Sequence, residues 1–384
     1  MPERVLLVAG EASGDLHGAG LVRALRRLRP GIELFGVGGD RMREEGMEIV
    51  VHIDRLAFMG FAEVLKNLGT VRQLQRTAAG LLVDRRPEVV VLIDYPGFNL
   101  RFARTVANTG IPVLYYISPQ VWAWHRSRVK KMRGVVASMK VVFPFEVDLY
   151  REEGIDVEFV GHPLVERLGA HLSRAEFFRQ HRLDPSRKLL ALLPGSRIQE
   201  IEDIFPAMMG AAATLVQSHP VQAAVAVAPN LGLAPFRKFL DGSREITTIE
   251  HGTYELLNNA DAAIVTSGTA TLEAGWFGTP MVIVYKTSPL TYHIGRLVVD
   301  VPFIGLANIV AGKRVATELI QGEVTPARLV QEVLPLLTDP AKAAAMRGAL
   351  SVIRKNLGAP GASDRVAASV VAYLDSARLP RGGS

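Results

Sequence analysis

The sequence predicts an α/β protein built as two doubly wound domains, each a parallel sheet covered by helices on both faces, with the carboxyl ends of the two sheets turned toward one cleft. Three observations predict it. Short β-rich runs are apolar without strict alternation, as strands buried on both faces must be. Helical patterns separate these runs along most of the chain. The length, 384 residues, exceeds what one hydrophobic core usually supports.

In the first half the runs are VLLVAG (5–10), ELFGVGG (33–39), EVVVLID (88–94), PVLYYIS (112–118), KVVFPF (140–145) and VEFVGHP (157–163). In the second they are KLLALLPGS (188–196), QAAVAVAPN (222–230), ITTIEHG (246–252), DAAIVTSG (261–268) and PMVIVYK (280–286). Helical stretches include 199–217 and 325–337. The break falls near HPLVERLGAHLS, 162–173, which divides the chain into domains at 1–165 and 166–340. Residues 341–384 read as helices without a further strand, able to pack back on the first domain of the same chain or of a partner in a homodimer.

Composition narrows the function classes. The chain is 48% hydrophobic and 21% charged, with a net charge of +6 and a pI of about 9.6. Basic and acidic residues are mixed rather than blocked, which disfavours nucleic acid and suits a phosphorylated substrate or an anionic lipid surface. With no cysteine, disulfides, thiolate metal sites and Cys nucleophiles are excluded. No run approaches the ~20 apolar residues of a membrane-spanning helix. The start, MPERVLLVAGEASGD, lacks a signal peptide. A cytoplasmic or membrane-peripheral protein is expected.

In open α/β sheets ligands bind beyond the carboxyl ends of strands, so residues there carry most weight. After the first strand comes GEASGDLHGAG, 10–20. Its spacing fits neither a dinucleotide fingerprint nor a nucleophile elbow. A plain βα turn accounts for Gly10, Gly14, Gly18 and Gly20; it does not account for Glu11, Ser13, Asp15 and His17 within seven residues, which read as a substrate loop. Asp94 ends the run EVVVLID and reads as a general base, since Asn99 can cap the helix that follows. SPQVWAWHRSRVKKMR, 118–133, mixes Trp with cations, a pattern shared by nucleic-acid contacts, by solvated helix faces with a packed loop, which are commoner, and by phosphate or headgroup contacts. LAFMGFAEVLKNL, 56–68, brings Phe58, Met59, Phe61, Val64 and Leu65 together ahead of Lys66, Arg72 and Arg76. It suits an acyl or membrane contact, against the commoner reading of a helix covering the sheet.

In the second half, LLPGSRIQEIE, 192–202, offers Gly195, Ser196 and Arg197 at a helix start, where backbone N–H groups and a guanidinium favour phosphate. Arg197 could instead pair with Glu200 or Glu202. TSGTATLE, 266–273, gives a second such turn at Ser267, Gly268 and Thr269. Glu273, one helical turn on, is placed to accept hydrogen bonds from ribose hydroxyls. Phosphate clamp and ribose acceptor together indicate a nucleotide diphosphate. There is no P-loop, no HExxH and no Asp-x-Asp, so neither metal nor cofactor is expected, and backbone N–H groups with Arg197 must neutralise the diphosphate.

Taken in order, GEASGDLHGAGL, MGFAEVL, IDYPGFN, SPQVWAW, FPFE, FVGHP, LLPGSR, SGTATLE and LANIVAG resemble the lipid-A-disaccharide synthase family from about residue 5 to about 340. The resemblance implies the GT-B glycosyltransferase fold. It implies inverting transfer of 2,3-diacylglucosamine from UDP-2,3-diacylglucosamine to the 6-hydroxyl of 2,3-diacylglucosamine 1-phosphate, giving a β-1,6 disaccharide 1-phosphate and UDP, in lipid A biosynthesis at the cytoplasmic face of an anionic inner membrane. It places the family's essential acid on Asp94, its essential Arg on Arg197 and its essential Asn on Asn308, the last grouped with the UDP contacts, with Glu11 the next candidate base. Many members carry a second acid three residues after the first; here that position is Gly97. Two other classes stay in view: an isomerase such as a UDP-N-acetylglucosamine 2-epimerase, which needs no acceptor and no apolar 56–68 segment, and a non-catalytic lipid- or nucleotide-binding protein, which leaves Glu11, Asp94 and Arg197 unexplained.

Overall fold

The computed structural model describes residues 2–57, 68–122, 126–169, 171–240, 246–289, 291–293 and 301–378. Phe58, Met59, Phe61, Val64 and Leu65, expected at an acyl or membrane contact, lie outside the described residues. The chain forms two compact units, Met1–Glu166 with Leu357–Ser384, and Arg167–Asn356.

Among the described residues, the first unit holds a seven-stranded parallel sheet: β1 (Arg4–Ala9), β2 (Glu33–Gly38), β3 (Glu48–His52), β4 (Val89–Ile93), β5 (Val113–Tyr116), β6 (Ser138–Val141) and β7 (Val157–Phe159), in the order β3-β2-β1-β4-β5-β6-β7. The second holds six: β8 (Lys188–Leu193), β9 (Val221–Val227), β10 (Ile246–Glu250), β11 (Ala262–Thr266), β12 (Met281–Tyr285) and β13 (Thr317–Ile320), in the order β10-β9-β8-β11-β12-β13. The central strands are the apolar runs. Val5–Ala9 of β1 and all of β4 have no exposed surface, so both faces of each strand are covered and no polar residue is tolerated until the strand ends. In each sheet the strand order reverses at its first strand, between β1 and β4 and between β8 and β11. Such reversals open a crevice at the carboxyl ends.

Two strands escape the sequence reading, β3 and β13. Both lie at sheet edges, both are short, and β13 carries Glu318. The run KVVFPF also ends as a strand earlier than expected, at Val141. The next two N–H groups, of Val142 and Phe143, turn to the Glu146 carboxylate at 3.3 and 3.0 Å instead of a neighbouring strand.

The expected C-terminal segment is divided. The helix Pro340–Leu357 belongs almost wholly to the second unit, where Ile353 packs so near Gly275 that a Cβ there would meet it at 3.0 Å. The helix Ala362–Arg378 belongs to the first and packs on the helix Ala12–Leu28. Gly20 makes this approach possible, since a Cβ would fall 2.6 Å from the Ser363 hydroxyl. Arg27 to Asp364 (2.6 Å) and Arg29 to Asp375 (2.8 Å) flank the contact. No helix among the described residues is long and apolar enough to cross a membrane.

Candidate active site

In the first unit the reversal point is built by Glu11 after β1 and Asp94 after β4. Glu11 occupies the cap position of the helix Ala12–Leu28 in extended conformation, and its carboxylate accepts the Ser13 hydroxyl at 2.6 Å. Asp94 and Tyr95 are both left-handed, with φ of +46° and +47°. Such conformations cost about 1–3 kcal/mol each for residues with side chains, so the surroundings must enforce them. Asn99, fully buried, donates through Nδ2 to the carbonyls of Ile93 (3.1 Å) and Asp94 (2.7 Å). The Tyr115 hydroxyl donates to the Asp94 carbonyl at 2.6 Å, and the Asp94 N–H to the Tyr116 carbonyl at 2.9 Å. Asn99 is therefore not the helix cap expected from sequence. The helix starts at Pro96, with Tyr95 in the cap position, and Asn99 reaches back from its first turn.

Burial, and secondarily the Glu11 charge, push the Asp94 carboxyl up to about 6, against the pull of the Tyr95 N–H. A carboxylate with that value, at a strand end, has the properties of a general base. Beside it, a Cβ at Gly97 would meet nothing within 4 Å. The position has room for a side chain.

The glycines of GEASGDLHGAG serve the fold rather than a ligand. A Cβ at Gly10 would strike the Tyr95 ring at 2.0 Å, and one at Gly18 the Met42 sulfur at 2.5 Å. Asp15 also departs from its expected place in a substrate loop. Its buried carboxylate accepts the N–H groups of Gly39 (2.7 Å), Arg41 (3.1 Å) and Met42 (3.2 Å), holding the start of the helix Asp40–Glu44. His17 lies beside His162, whose imidazole burial pushes down to about 3, with His17 adding to the effect. His162 is neutral, and its Nδ1 accepts the Leu164 N–H at 3.1 Å.

Glu146 was missed by the sequence reading. Its carboxylate, 1% exposed, receives the Ser118 hydroxyl (2.5 Å) and the Trp122 indole N–H (3.2 Å) besides the two N–H groups named above. One buried acid thereby ties SPQVW to FPFE. Burial raises its carboxyl to about 7 despite the four donors. The sequence signal was there: a Glu directly after the apolar run VVFPF.

The second unit contains a cavity of about 540 Å³ at its own reversal point. Gly195, Ser196 and Arg197 line it after β8; Ser267, Gly268, Thr269 and Glu273 line it after β11. Gly268 stands at the cap position of the helix Thr269–Phe277, with φ of +147°, so a side chain there would be strained. The start of that helix borders the cavity, and free N–H groups at a helix start favour an anion; the Thr271 N–H is already held by the Gly268 carbonyl at 3.1 Å. The Ser267 hydroxyl donates to the Ile304 carbonyl at 2.9 Å, which fixes the turn and leaves this proton engaged. Glu273 accepts the Tyr254 hydroxyl at 3.3 Å; burial raises its carboxyl, while Arg167 and that hydroxyl draw it down. Arg167, Asn230, His251 and Tyr254 also line the cavity and were not singled out from sequence, although Asn230 and His251 stand just after the strands β9 and β10, where ligands are expected.

Two expected donor contacts differ. Arg197 takes the alternative weighed above, pairing with Glu200 at 2.8 Å, and it sits at the cap rather than inside the first turn. Asn308 is not in the cavity lining. Fully buried, it donates from Nδ2 to the Ala316 carbonyl (2.9 Å) and Glu318 (2.8 Å), and accepts at Oδ1 from Val315 (2.7 Å) and Ala316 (3.0 Å). Glu318 in turn holds the N–H groups of Ile304 (3.0 Å) and Gly305 (2.9 Å). Asn308 thus reaches the cavity through the segment that anchors Ser267 and through its neighbour Ala307, whose N–H donates to the Thr271 hydroxyl at 3.2 Å.

A family model described as lipid-A-disaccharide synthetase matches residues 5–365. The chain belongs to the lipid-A-disaccharide synthase family. The lipid-A-disaccharide synthase of Geobacter sulfurreducens is 44% identical over 373 residues, covering 97% of both chains. That of Myxococcus xanthus is 40% identical over 380 residues, covering 98% of this chain and 99% of its own. With this family membership the chain is a glycosyltransferase. Solved structures agree on the fold. The calicheamicin glycosyltransferase aligns with a TM-score of 0.63 at 18% identity, covering 99% of this chain and all of its own. UDP-GlcNAc 2-epimerase from Neisseria meningitidis, bound to UDP-GlcNAc, aligns with a TM-score of 0.63 at 12% identity, covering 96% and 100%. At such identities the epimerase likeness concerns architecture alone, and the family match sets the isomerase reading aside.

Proposed function

We propose that the protein transfers 2,3-diacylglucosamine from UDP-2,3-diacylglucosamine to the 6-hydroxyl of 2,3-diacylglucosamine 1-phosphate, with inversion at the anomeric carbon. The observation that carries this reading is the family match across residues 5–365. The cavity of the second unit supports the donor half: it offers two helix starts to a diphosphate and Glu273 to a ribose. Asp94 supports the acceptor half. It takes the proton from the 6-hydroxyl as the new O–C1 bond forms and the bond from C1 to the phosphate oxygen breaks. The leaving UDP carries away the electron pair, its charge met by N–H groups and Arg197. Glu11 is the second candidate base. The apolar segment around Phe58 and Phe61, followed by Arg72 and Arg76, suits acyl chains or the anionic cytoplasmic face of a membrane.

The experiment is UDP release from UDP-2,3-diacylglucosamine in detergent micelles, with and without the acceptor. Acceptor-dependent release with a disaccharide product is expected; release without the acceptor, or none at all, contradicts the reading. Glu273→Ala is expected to raise the donor KM by about 10- to 100-fold, the worth of hydrogen bonds to a charged acceptor, with kcat little changed. Unchanged donor affinity in steady-state kinetics would remove the ribose role.

A further inference from the structure

Glu200 lies in the first turn of the helix Ile198–Ser218, at the donor cavity. Its Oε2 accepts the N–H groups of Ser196 (2.9 Å) and Arg197 (3.2 Å), and its Oε1 accepts the Arg197 guanidinium at 2.8 Å. Two backbone N–H groups at a helix start and a guanidinium are the ligand set of a phosphate. They are also the donors that the sequence assigns to the diphosphate. Gly195 admits the carboxylate: a Cβ there would lie 2.3 Å from Glu200 Oε2. Asn230 holds the Ser196 carbonyl at 2.9 Å, which keeps the turn in place. The Arg197 side chain is 81% exposed and Glu200 19%, so the arginine is free to turn toward a new anion.

One set of donors does not serve two anions, and a carboxylate and a phosphate at contact distance repel. We propose that Glu200 is a built-in stand-in for the diphosphate. It occupies the anion seat while the cavity is empty, keeps the turn and Arg197 ordered, and is displaced when the nucleotide enters. This rests on the donor reading above and deepens it: Glu200 weakens diphosphate binding selectively and eases departure of UDP. The competing arrangement is a permanent capping box, in which Glu200 stays and the diphosphate sits wholly at Ser267–Thr269.

The test is calorimetric titration of the full chain and its Glu200→Gln and Glu200→Ala variants with UDP, uridine and inorganic pyrophosphate. Displacement predicts that UDP and pyrophosphate bind roughly 2- to 5-fold tighter to both variants, with uridine unchanged, because only the phosphates meet the carboxylate. A permanent cap predicts unchanged or weaker binding of UDP and pyrophosphate, and that result overturns the proposal. Equal tightening of uridine also overturns it, since the effect would then be one of general shape. If the glutamine variant folds poorly, as thermal melting reveals, the alanine variant decides. If the wild type binds pyrophosphate but neither UDP nor uridine, the uridine-nucleotide reading falls, and the ratio for pyrophosphate still judges Glu200.

Discussion

Asp94→Asn is expected to lose about 10²- to 10⁴-fold in kcat, the range for a general base, with UDP affinity unchanged. The same variant should be more thermally stable at neutral pH. The folded carboxyl titrates at about 6 against 3.8 for a free side chain, because burial and Glu11 disfavour the charge. The folded protein thus binds the proton more tightly than the unfolded chain. Stability is therefore lost as pH rises from about 4 to about 6, and the full cost, at most about 3 kcal/mol, persists above that window. Asparagine does not titrate, so its advantage should vanish below about pH 4. In the unmodified protein kcat/KM should rise with pH through about 6, and Glu11→Gln should move that limb lower by removing the charge that raises Asp94. Near-normal turnover in the asparagine variant would remove Asp94 from the mechanism.

Asn308→Ala should fail in the opposite way, losing stability and activity together. The substitution leaves the N–H groups of Val315 and Ala316 and the Ala316 carbonyl, all buried, without their Asn308 partner, and takes one of two donors from the Glu318 oxygen that Gly305 also binds. A cost of about 3–5 kcal/mol follows from the usual penalty for orphaned buried groups, taken as less than additive. The Ile304–Gly305 segment then loses its hold on Ser267, and UDP binding should weaken in parallel with the melting temperature. Thermal melting and UDP titration on the same sample decide it. A stable variant with intact UDP affinity and no turnover would instead make Asn308 part of the chemistry.

The contrast shows where the sequence could be read. Interior strands were legible because burial on both faces forces long apolar runs. Edge strands lack that constraint: β7 and β10 were found, but β3 and β13 were missed. The reversal points were legible too, since Asp94, Gly195–Arg197 and Ser267–Thr269 stand directly after such runs. Polar residues with an internal partner were not. Asp15, Asn99, Glu146 and Asn308 each satisfy backbone groups brought close by the fold, and no local pattern announces which N–H will arrive. Glu200 was seen as a possible partner of Arg197, but not as the occupant of the turn.

The division of the C-terminal helices bears on the order in which the chain matures. The first unit is not complete without Ala362–Arg378, which packs on Ala12–Leu28. During synthesis that surface stays uncovered until residues 362–378 have left the ribosome, whereas the second unit has all its residues by Asn356. The usual N-terminal-first order of domain maturation is thereby expected to reverse. A nascent chain arrested with everything through Leu357 exposed should show the second unit resistant to protease and the first still sensitive. A first unit already resistant at that length would show that the final helix arrives on a finished fold.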